Sequence, residues 1–365
     1  MTSEKINASD VALFRKSLIC TLSLSSKELF HSNLIGWLFE NSLDFARRFL
    51  NHEGLTKVDS VKREKANFDL LVEADGKNYI VENKVKSLPC SKQMTEYVKK
   101  SIQQNLKANF ILLSLSDPGE KFRSSHPSIR IVTYDDVLNI IADLKIDNLF
   151  ITNMLSEYRT LIKILLKIRH TATVNPEVSL TYDPDQEDLL KQIRLFDVAQ
   201  KIRYSNFAEL VDKKLCKTNR LGFESFIEPL DVCFSKGLAL MSLKARFRYE
   251  DDEIFLGIQI QGGHYRLYVE SCSKKDVQAL AEDLKKHDLW LNPENAANDK
   301  ILKYGVYFKY SYTFITEMSA EKILAQIERD LLRLFDSRTT LKSKLQIDNK
   351  NVHPVECPRK LIHFL

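Results

Sequence analysis

NFDLLVEADGKNYIVENKV, residues Asn67 to Val85, is the stretch on which the fold turns. Two alternating runs meet at Asp75-Gly76, a pair that tolerates positive φ and closes a two-residue hairpin. With that turn, Ala74 faces Lys77, Val72 faces Tyr79, Leu70 faces Val81 and Asp69 faces Glu82. Facing residues share a side of the sheet, with Cβ atoms roughly 4.5–5.5 Å apart. One side then carries Phe68, Leu70, Val72, Tyr79 and Val81, a core face. The other carries Asn67, Asp69 and Glu82, joined by Lys84 because strand side chains repeat with period two. A slip of one residue would send one carboxylate to the core face.

Two carboxylates facing each other repel unless solvated, protonated or bridged by a cation. A hard divalent ion with oxygen ligands bridges them, and Mg²⁺ typically takes one or two carboxylates with water and substrate phosphate. A lysine on the same face can orient or deprotonate water, or stabilise charge on phosphate. Together these are the parts of phosphodiester hydrolysis. The competing reading, ordinary charge on a solvated hairpin face, has equal weight on this pattern alone.

Outward from the hairpin, apolar residues at helical spacing give a helix over Ser25 to Leu50, capped by Ser25 or Ser26. A short strand follows at Lys57 to Lys65. Beyond the hairpin come a helix from Ser91 to Leu106, strands at Asn109–Leu115 and Ile129–Thr133, and helices over Tyr134–Leu144 and Asn148–Arg169. The helix–strand–hairpin–helix–strand order is α-β-β-β-α-β.

Asp69 followed after twelve residues by Glu82-Asn83-Lys84 resembles the signature of the PD-(D/E)XK nuclease superfamily, with its restriction-endonuclease-like α-β-β-β-α-β core. Glu28-Leu29-Phe30-His31-Ser32, Val61 to Glu64, and Gln93-x-x-x-Tyr97 extend the resemblance to a mostly uncharacterised bacterial branch, over residues 25–135. Phe68 stands where the superfamily name has proline. The resemblance implies that Asp69, Glu82, the Asn83 backbone carbonyl and Glu28 ligate Mg²⁺, with Mn²⁺ as a substitute. It implies that Lys84 contacts the attacking water or the scissile phosphate. Gln93, Tyr97 and Glu64 support the site. The implied activity is a metal-dependent DNA endonuclease, by in-line attack of a Mg-activated water. DNA is expected over RNA, and a homodimer is compatible. Defence against foreign DNA, repair and mobile-element biology are all open roles.

Glu28 reads equally well as a first-turn acid facing the helix dipole. His31 reads as a structural histidine, His126 as a solvent-exposed loop residue. The basic end of the long helix (Lys163, Lys167, Arg169, His170) is explained first by the dipole.

At 365 residues the chain exceeds one ordinary core, so two domains are expected, 1–174 and 175–365. Asn175-Pro176 and Asp183-Pro184 mark a linker over Thr171–Asp188. The second half reads as an α+β domain on an antiparallel sheet, for target choice or dimerisation. Helices are expected near 186–204, 206–216, 274–287 and 320–335. Strands are expected at 223–234, 238–249, 253–261, 265–270 and 304–314, with turns at Glu250-Asp251-Asp252 and Gly262-Gly263. Lys244, Arg246 and Arg248 share a strand face, read as solvated in preference to a nucleic-acid surface. Tyr304, Tyr307, Tyr310 and Tyr312 read as packing residues.

Apolar residues at 44% and charged ones at 28% are the mix of a globular protein. The net charge of +5 lies wholly in residues 1–174, while 175–365 balance to zero. Six cysteines without CxxC spacing, no leader and no membrane-length apolar run give a cytoplasmic expectation, with no membrane partner. Two rivals to the nuclease stand: a nucleic-acid-binding module that keeps the fold without turnover, and a structural or interaction protein.

Overall fold

The computed structural model describes residues 5–23, 27–65, 68–86, 89, 91–217, 231–235, 238–337 and 340–341. Among them, twelve helices and eleven strands form one mixed and one antiparallel sheet, a mixed α/β chain. No helix among the described residues is long and apolar enough to cross a membrane. The chain divides into two compact units, Met1–Thr173 with Tyr182–Arg203, and Val174–Thr181 with Tyr204–Leu365.

The first unit begins with helices α1 (Ala8–Lys16) and α2 (Leu18–Ser23), which the apolar pattern does not announce. The helix expected over Ser25–Leu50 is two: α3 (Lys27–Asn41) and α4 (Leu43–Leu50). Ser42 breaks them, extended at φ −142° with its hydroxyl accepting the Phe45 N–H at 3.2 Å, because a serine side chain competes for helix-terminal donors. Ser25, Ser26 and Asn67 lie outside the described residues.

Strands β1 (Val58–Arg63), β2 (Leu70–Ala74) and β3 (Lys77–Lys84) are antiparallel neighbours. Asp75 and Gly76 turn between the last two at φ 46° and 71°, and Ala74↔Lys77, Val72↔Tyr79 and Leu70↔Val81 pair in the expected register. Thr56 pins the turn, donating its N–H and hydroxyl to the Asp75 carboxylate at 2.7 Å each. Helix α5 (Ser91–Gln103) then makes the crossover that parallel pairing requires, to β4 (Ala108–Ser114). Helix α6 (Gly119–Ser125), also unannounced, leads to β5 (Ile129–Thr133), parallel to β4, completing the order β1-β2-β3-β4-β5. Helices α7 (Tyr134–Asp143), α8 (Leu149–Thr171) and α9 (Pro184–Gln192), with the start of α10 (Phe196–Lys217), complete the unit.

Both faces of this sheet are covered. Leu70, Val72, Tyr79, Val81, Ile111 and Leu113 share a core with residues of α3, α4, α7 and α8. Leu71, Ile80, Phe110 and Leu112 form a second core with Met94 and Tyr97 of α5 and Phe122 of α6. Phe68 was expected beside Leu70 but packs in this second core. It precedes the strand, in a turn where its N–H donates to the Lys65 carbonyl, so strand alternation begins only at Leu70. His126 is not an exposed loop residue: it ends α6, half-buried, its ring 4.9 Å from Phe122.

A single cut at 174/175 leaves Tyr182–Arg203 with the second half, whereas in the structure these residues count with the first unit. Leu190, Ile193, Leu195, Val198 and Ile202 join the first core, and the Tyr182 hydroxyl donates to the Ala199 carbonyl. The break expected near Ser205 falls instead at Arg194, φ 53°, and α10 runs through Ser205.

In the second unit, β6 (Asp231–Ser235), β7 (Leu238–Tyr249), β8 (Asp252–Gln261) and β9 (His264–Ser271) form an antiparallel meander. Residues 223–230 of the first expected strand lie outside the described residues. Gly262 and Gly263 turn at φ 55° and 79°. The acidic turn is shorter than expected, Glu250-Asp251 alone, because Asp252 joins the ladder opposite Tyr249 and accepts from Ser271. Helix α11 (Gln278–Lys286), β10 (Leu302–Lys303), β11 (Phe308–Phe314) and α12 (Ala320–Asp336) follow. The strand expected from Tyr304 starts at Phe308, since Gly305 at φ 79° turns the chain between β10 and β11. The order is β10-β11-β9-β8-β7-β6, and α10, α11 and α12 share one core with one face of the sheet.

Candidate functional site

The site lies where the β2–β3 ladder stops. Pairing ends at Leu70↔Val81, so Asp69 does not continue as a backbone partner of Glu82. Its carboxylate takes that place in the ladder, accepting the Asn83 N–H at 2.7 Å. Both the N–H and C=O of a strand residue project to the same neighbouring strand. The Asn83 carbonyl is therefore directed to the same edge as Asp69. On the other edge of β3, the Lys84 carbonyl accepts from Leu115 beyond β4.

Glu82 and Lys84 project into the α5 side of the sheet and are buried, 2% and 7% exposed. They are not a solvated hairpin face. Lys84 Nζ lies 2.6 Å from Glu82 Oε1. Gln93 Nε2 donates to the same oxygen at 3.0 Å and to the Tyr97 hydroxyl at 2.6 Å, and Tyr97 reaches Glu82 Oε1 at 3.4 Å. Gln93 and Tyr97 are one turn apart on α5, which is why both reach a single point. Glu82 Oε2 is buried with no hydrogen-bond partner among the described residues.

Charge here is out of balance among the described residues: buried Glu82 and half-buried Asp69 act on one ammonium, Lys84. Burial pushes the Asp69 carboxyl up, against the Asn83 N–H and Lys84, with Glu28 and Glu64 adding to the rise. Burial, then the Asp69 charge, raises Glu82 to about 7 despite Lys84. Burial opposes the charge on Lys84, yet Glu82, Glu28 and Asp69 outweigh it and hold the lysine above its ordinary value. A lysine so held is a cation and a donor, and a poor base.

Glu28, half-buried at the start of α3, accepts the Lys86 N–H at 3.1 Å through Oε1. Its charge reaches Asp69, Glu82 and Lys84. Among the described residues, no three or more His, Cys, Asp or Glu side chains are gathered as a ready metal centre. Glu64 is exposed, at φ 52°, its N–H bonded to the Asp69 carbonyl.

Sequence reasoning counted only the backbone of Asn83. Its side chain points the opposite way from Glu82 and is buried. Asn83 Nδ2 donates to the Glu28 carbonyl at 3.1 Å and to Ser32 Oγ at 3.2 Å, and Oδ1 accepts from Tyr134 at 2.9 Å. This amide ties α3, which carries Glu28, and α7 to the strand that carries Glu82 and Lys84. His31 lies beside it as a structural residue, Nδ1 at 2.8 Å from the Tyr158 hydroxyl, and burial pushes its pKa down to about 3. The basic end of α8 is paired within its own unit, Lys167 with Asp10 at 2.7 Å and Arg169 with Asp135 at 2.6 Å.

Asn83→Ala strands buried polar groups, the costly way to lose hydrogen bonds. We expect a loss of about 2–4 kcal/mol in stability by urea denaturation. A loss under about 0.5 kcal/mol, the level of an ordinary surface change, would show that the tie is immaterial.

No protein-family model, curated protein or solved structure matches the chain.

Proposed function

We propose that the first unit is a metal-dependent nuclease with a restriction-endonuclease-like core, hydrolysing phosphodiester bonds, with DNA as substrate. The observation that carries this is the buried Glu82–Lys84 pair at an open ladder end, Glu82 Oε2 lacking a partner among the described residues and the charge of half-buried Asp69 acting on it. The element order α3-α4-β1-β2-β3-α5-β4, in which α3 and α4 stand where one helix was expected, supports the core assignment.

The residues fit a hard divalent cation. Asp69, Glu82 and the Asn83 carbonyl are oxygen donors, and an ion such as Mg²⁺ uses one or two carboxylates with water and phosphate. Bound there, the cation would acidify a coordinated water and neutralise phosphate charge. Glu28 strengthens the negative field that attracts the ion. Gln93 and Tyr97 hold Glu82 Oε1, which leaves the buried Oε2 as the oxygen that would serve as the donor. Lys84 stays protonated and donates to a phosphate oxygen as negative charge grows on it. In the reaction a water oxygen bonds to phosphorus, the bond to the leaving oxygen breaks, and that oxygen takes up a proton.

The test is cleavage of plasmid and linear DNA, and of RNA, by the purified chain with Mg²⁺ or Mn²⁺ and with chelator. Cleavage that requires the metal is expected. Absence of metal binding by calorimetry, with DNA binding retained, would instead identify a binding module without turnover.

A further inference from the structure

Tyr134 is fully buried and is the first residue of α7. The parallel register sets it there. Lys84, Ser114 and Thr133 lie in one row across β3, β4 and β5. Thr133 ends β5 and caps α7, its hydroxyl accepting the Asp136 N–H while the Asp136 carboxylate accepts the Thr133 N–H. The chain therefore enters α7 at the end of the sheet that carries Glu82 and Lys84. A buried phenol needs a hydrogen-bond partner, and Tyr134 donates to Asn83 Oδ1 at 2.9 Å. His31, itself bonded to Tyr158, packs edge-on to the Tyr134 ring, with centroids 5.3 Å apart at 88°, and helps to hold it in place.

Asn83 stands where β3 is held on one side only. Pairing with β2 stops at Val81, while pairing with β4 continues to Lys84. On the open side the Asp69 carboxylate takes the Asn83 N–H in place of a strand. The Asn83 side chain supplies a second hold from the opposite face of the sheet. Its Nδ2 donates to the Glu28 carbonyl and to Ser32 Oγ, and Ser32 Oγ donates to the same carbonyl at 2.9 Å. The first turn of α3, with Glu28, is thereby fixed to the peptide next to Glu82. A backbone carbonyl can only accept, so it must meet the Nδ2 end of the amide, and Oδ1 then needs a donor. Tyr134 is that donor. Without its hydroxyl Oδ1 is a buried acceptor left unpaired, and relief comes by rotating the amide away from Glu28.

Resting on the nuclease reading of this unit, we propose that Tyr134 is a positioning residue for the metal site. Its hydroxyl holds the Asn83 amide, and through it the Glu28 turn and the Asn83 peptide, where they can serve one divalent ion. Tyr134 acts through Asn83, from the face of the sheet opposite Glu82. Outer partners of this kind orient metal ligands, and losing one typically costs about ten- to a hundredfold in metal affinity.

Calorimetry of Mn²⁺ binding to the full chain, with melting temperatures in chelator, is the test. Tyr134→Phe keeps the ring and removes only the hydroxyl, so the chain folds. Its Mn²⁺ affinity should fall at least about tenfold. Ile141→Ala opens a cavity in the same core from the same helix. It should lower the melting temperature at least as much, yet leave the affinity within about twofold of the parent. In an Asn83→Ala background, Tyr134→Phe should cost no more than about a further twofold, since its route to the site is already gone. Equal affinity of Tyr134→Phe and the parent overturns the proposal. So does an equal fall in Ile141→Ala, which would make the effect one of stability alone. An undiminished loss in the Asn83→Ala background also overturns it, because Tyr134 would then act by another route. A parent that binds no Mn²⁺ overturns the metal site and this proposal with it, a result distinct from the other three.

Discussion

Lys84→Met is expected to abolish the proposed DNA cleavage, lowering the rate at least about a hundredfold, and to leave the protein folded. Methionine fills the volume of the lysine stem, so the second core keeps its packing. The loss is chemical, since the cation that would meet developing phosphate charge is gone. Removing the ammonium takes away the positive charge that holds Glu82 down, and that carboxyl is then expected to carry a proton at neutral pH. The buried site thereby sheds its unbalanced charge, which is why the fold survives. Asp69→Asn should match it by a different route. The asparagine amide oxygen still accepts the Asn83 N–H, so the ladder end is kept while the charge is lost. The rate should fall by a similar factor, and the apparent affinity for Mn²⁺ should fall as well. Plasmid nicking by either variant at the parental rate, in the same metal, would sink the proposed site.

The second large effect is on pH. An unfolded glutamate titrates near 4.5, and Glu82 in the fold near 7. Between those values the folded chain holds a proton that the unfolded chain has lost. Raising the pH through that window therefore destabilises the metal-free protein, and the loss levels off above about 7. The interval corresponds to about 3 kcal/mol. Asp69, also raised, acts in the same direction. Lys84, held above its ordinary value, contributes stability that persists through this window and is lost only at high pH. A divalent ion binds the ionised carboxylate and reverses the trend, so affinity for Mn²⁺ should rise about tenfold per pH unit up to about 7 and then plateau. Thermal melts from pH 5 to 8, in chelator and in Mn²⁺, read both slopes. Glu82→Gln should flatten the chelator series by most of this amount and remove the metal response. An identical pH profile for parent and Glu82→Gln would show that Glu82 is not the titrating group.

The hairpin was legible because its determinants are local. Asp75-Gly76 selects the turn, period two selects the faces, and the paired register from Ala74↔Lys77 to Leu70↔Val81 follows. The strand assignments at β5 and β7 and the helix at α7 were legible for the same reason, clear periodicity bounded by turn or cap residues. The break at Ser42 was present in the sequence as a good N-cap inside an apolar helical pattern, and the pattern masked it. The short helices α1, α2 and α6 carry too little amphipathic pattern to stand out.

The site itself was only partly legible. Asp69, Glu82 and Lys84 were nominated by the hairpin register, and Gln93 and Tyr97 by the resemblance to the nuclease signature. The Asn83 side chain was not, because its partner Tyr134 lies 51 residues along the chain. Nor could spacing show that Asp69 leaves the ladder and uses its side chain on the Asn83 N–H.

The sequence by itself determined a hairpin, its register and the residue types brought to its end. Only the tertiary structure decided what those residues are chemically. The same charges on a bare hairpin would be solvated, with ordinary pKa values and little interaction. Met94, Tyr97 and Phe122 arrive from α5 and α6 to close the second face. That enclosure removes water from Glu82 and Lys84, and desolvation heads the causes that raise Glu82 to about 7. Desolvation depends on what covers a group, and the covering residues are distant in sequence, so the reactivity of this stretch could not be read from the stretch alone.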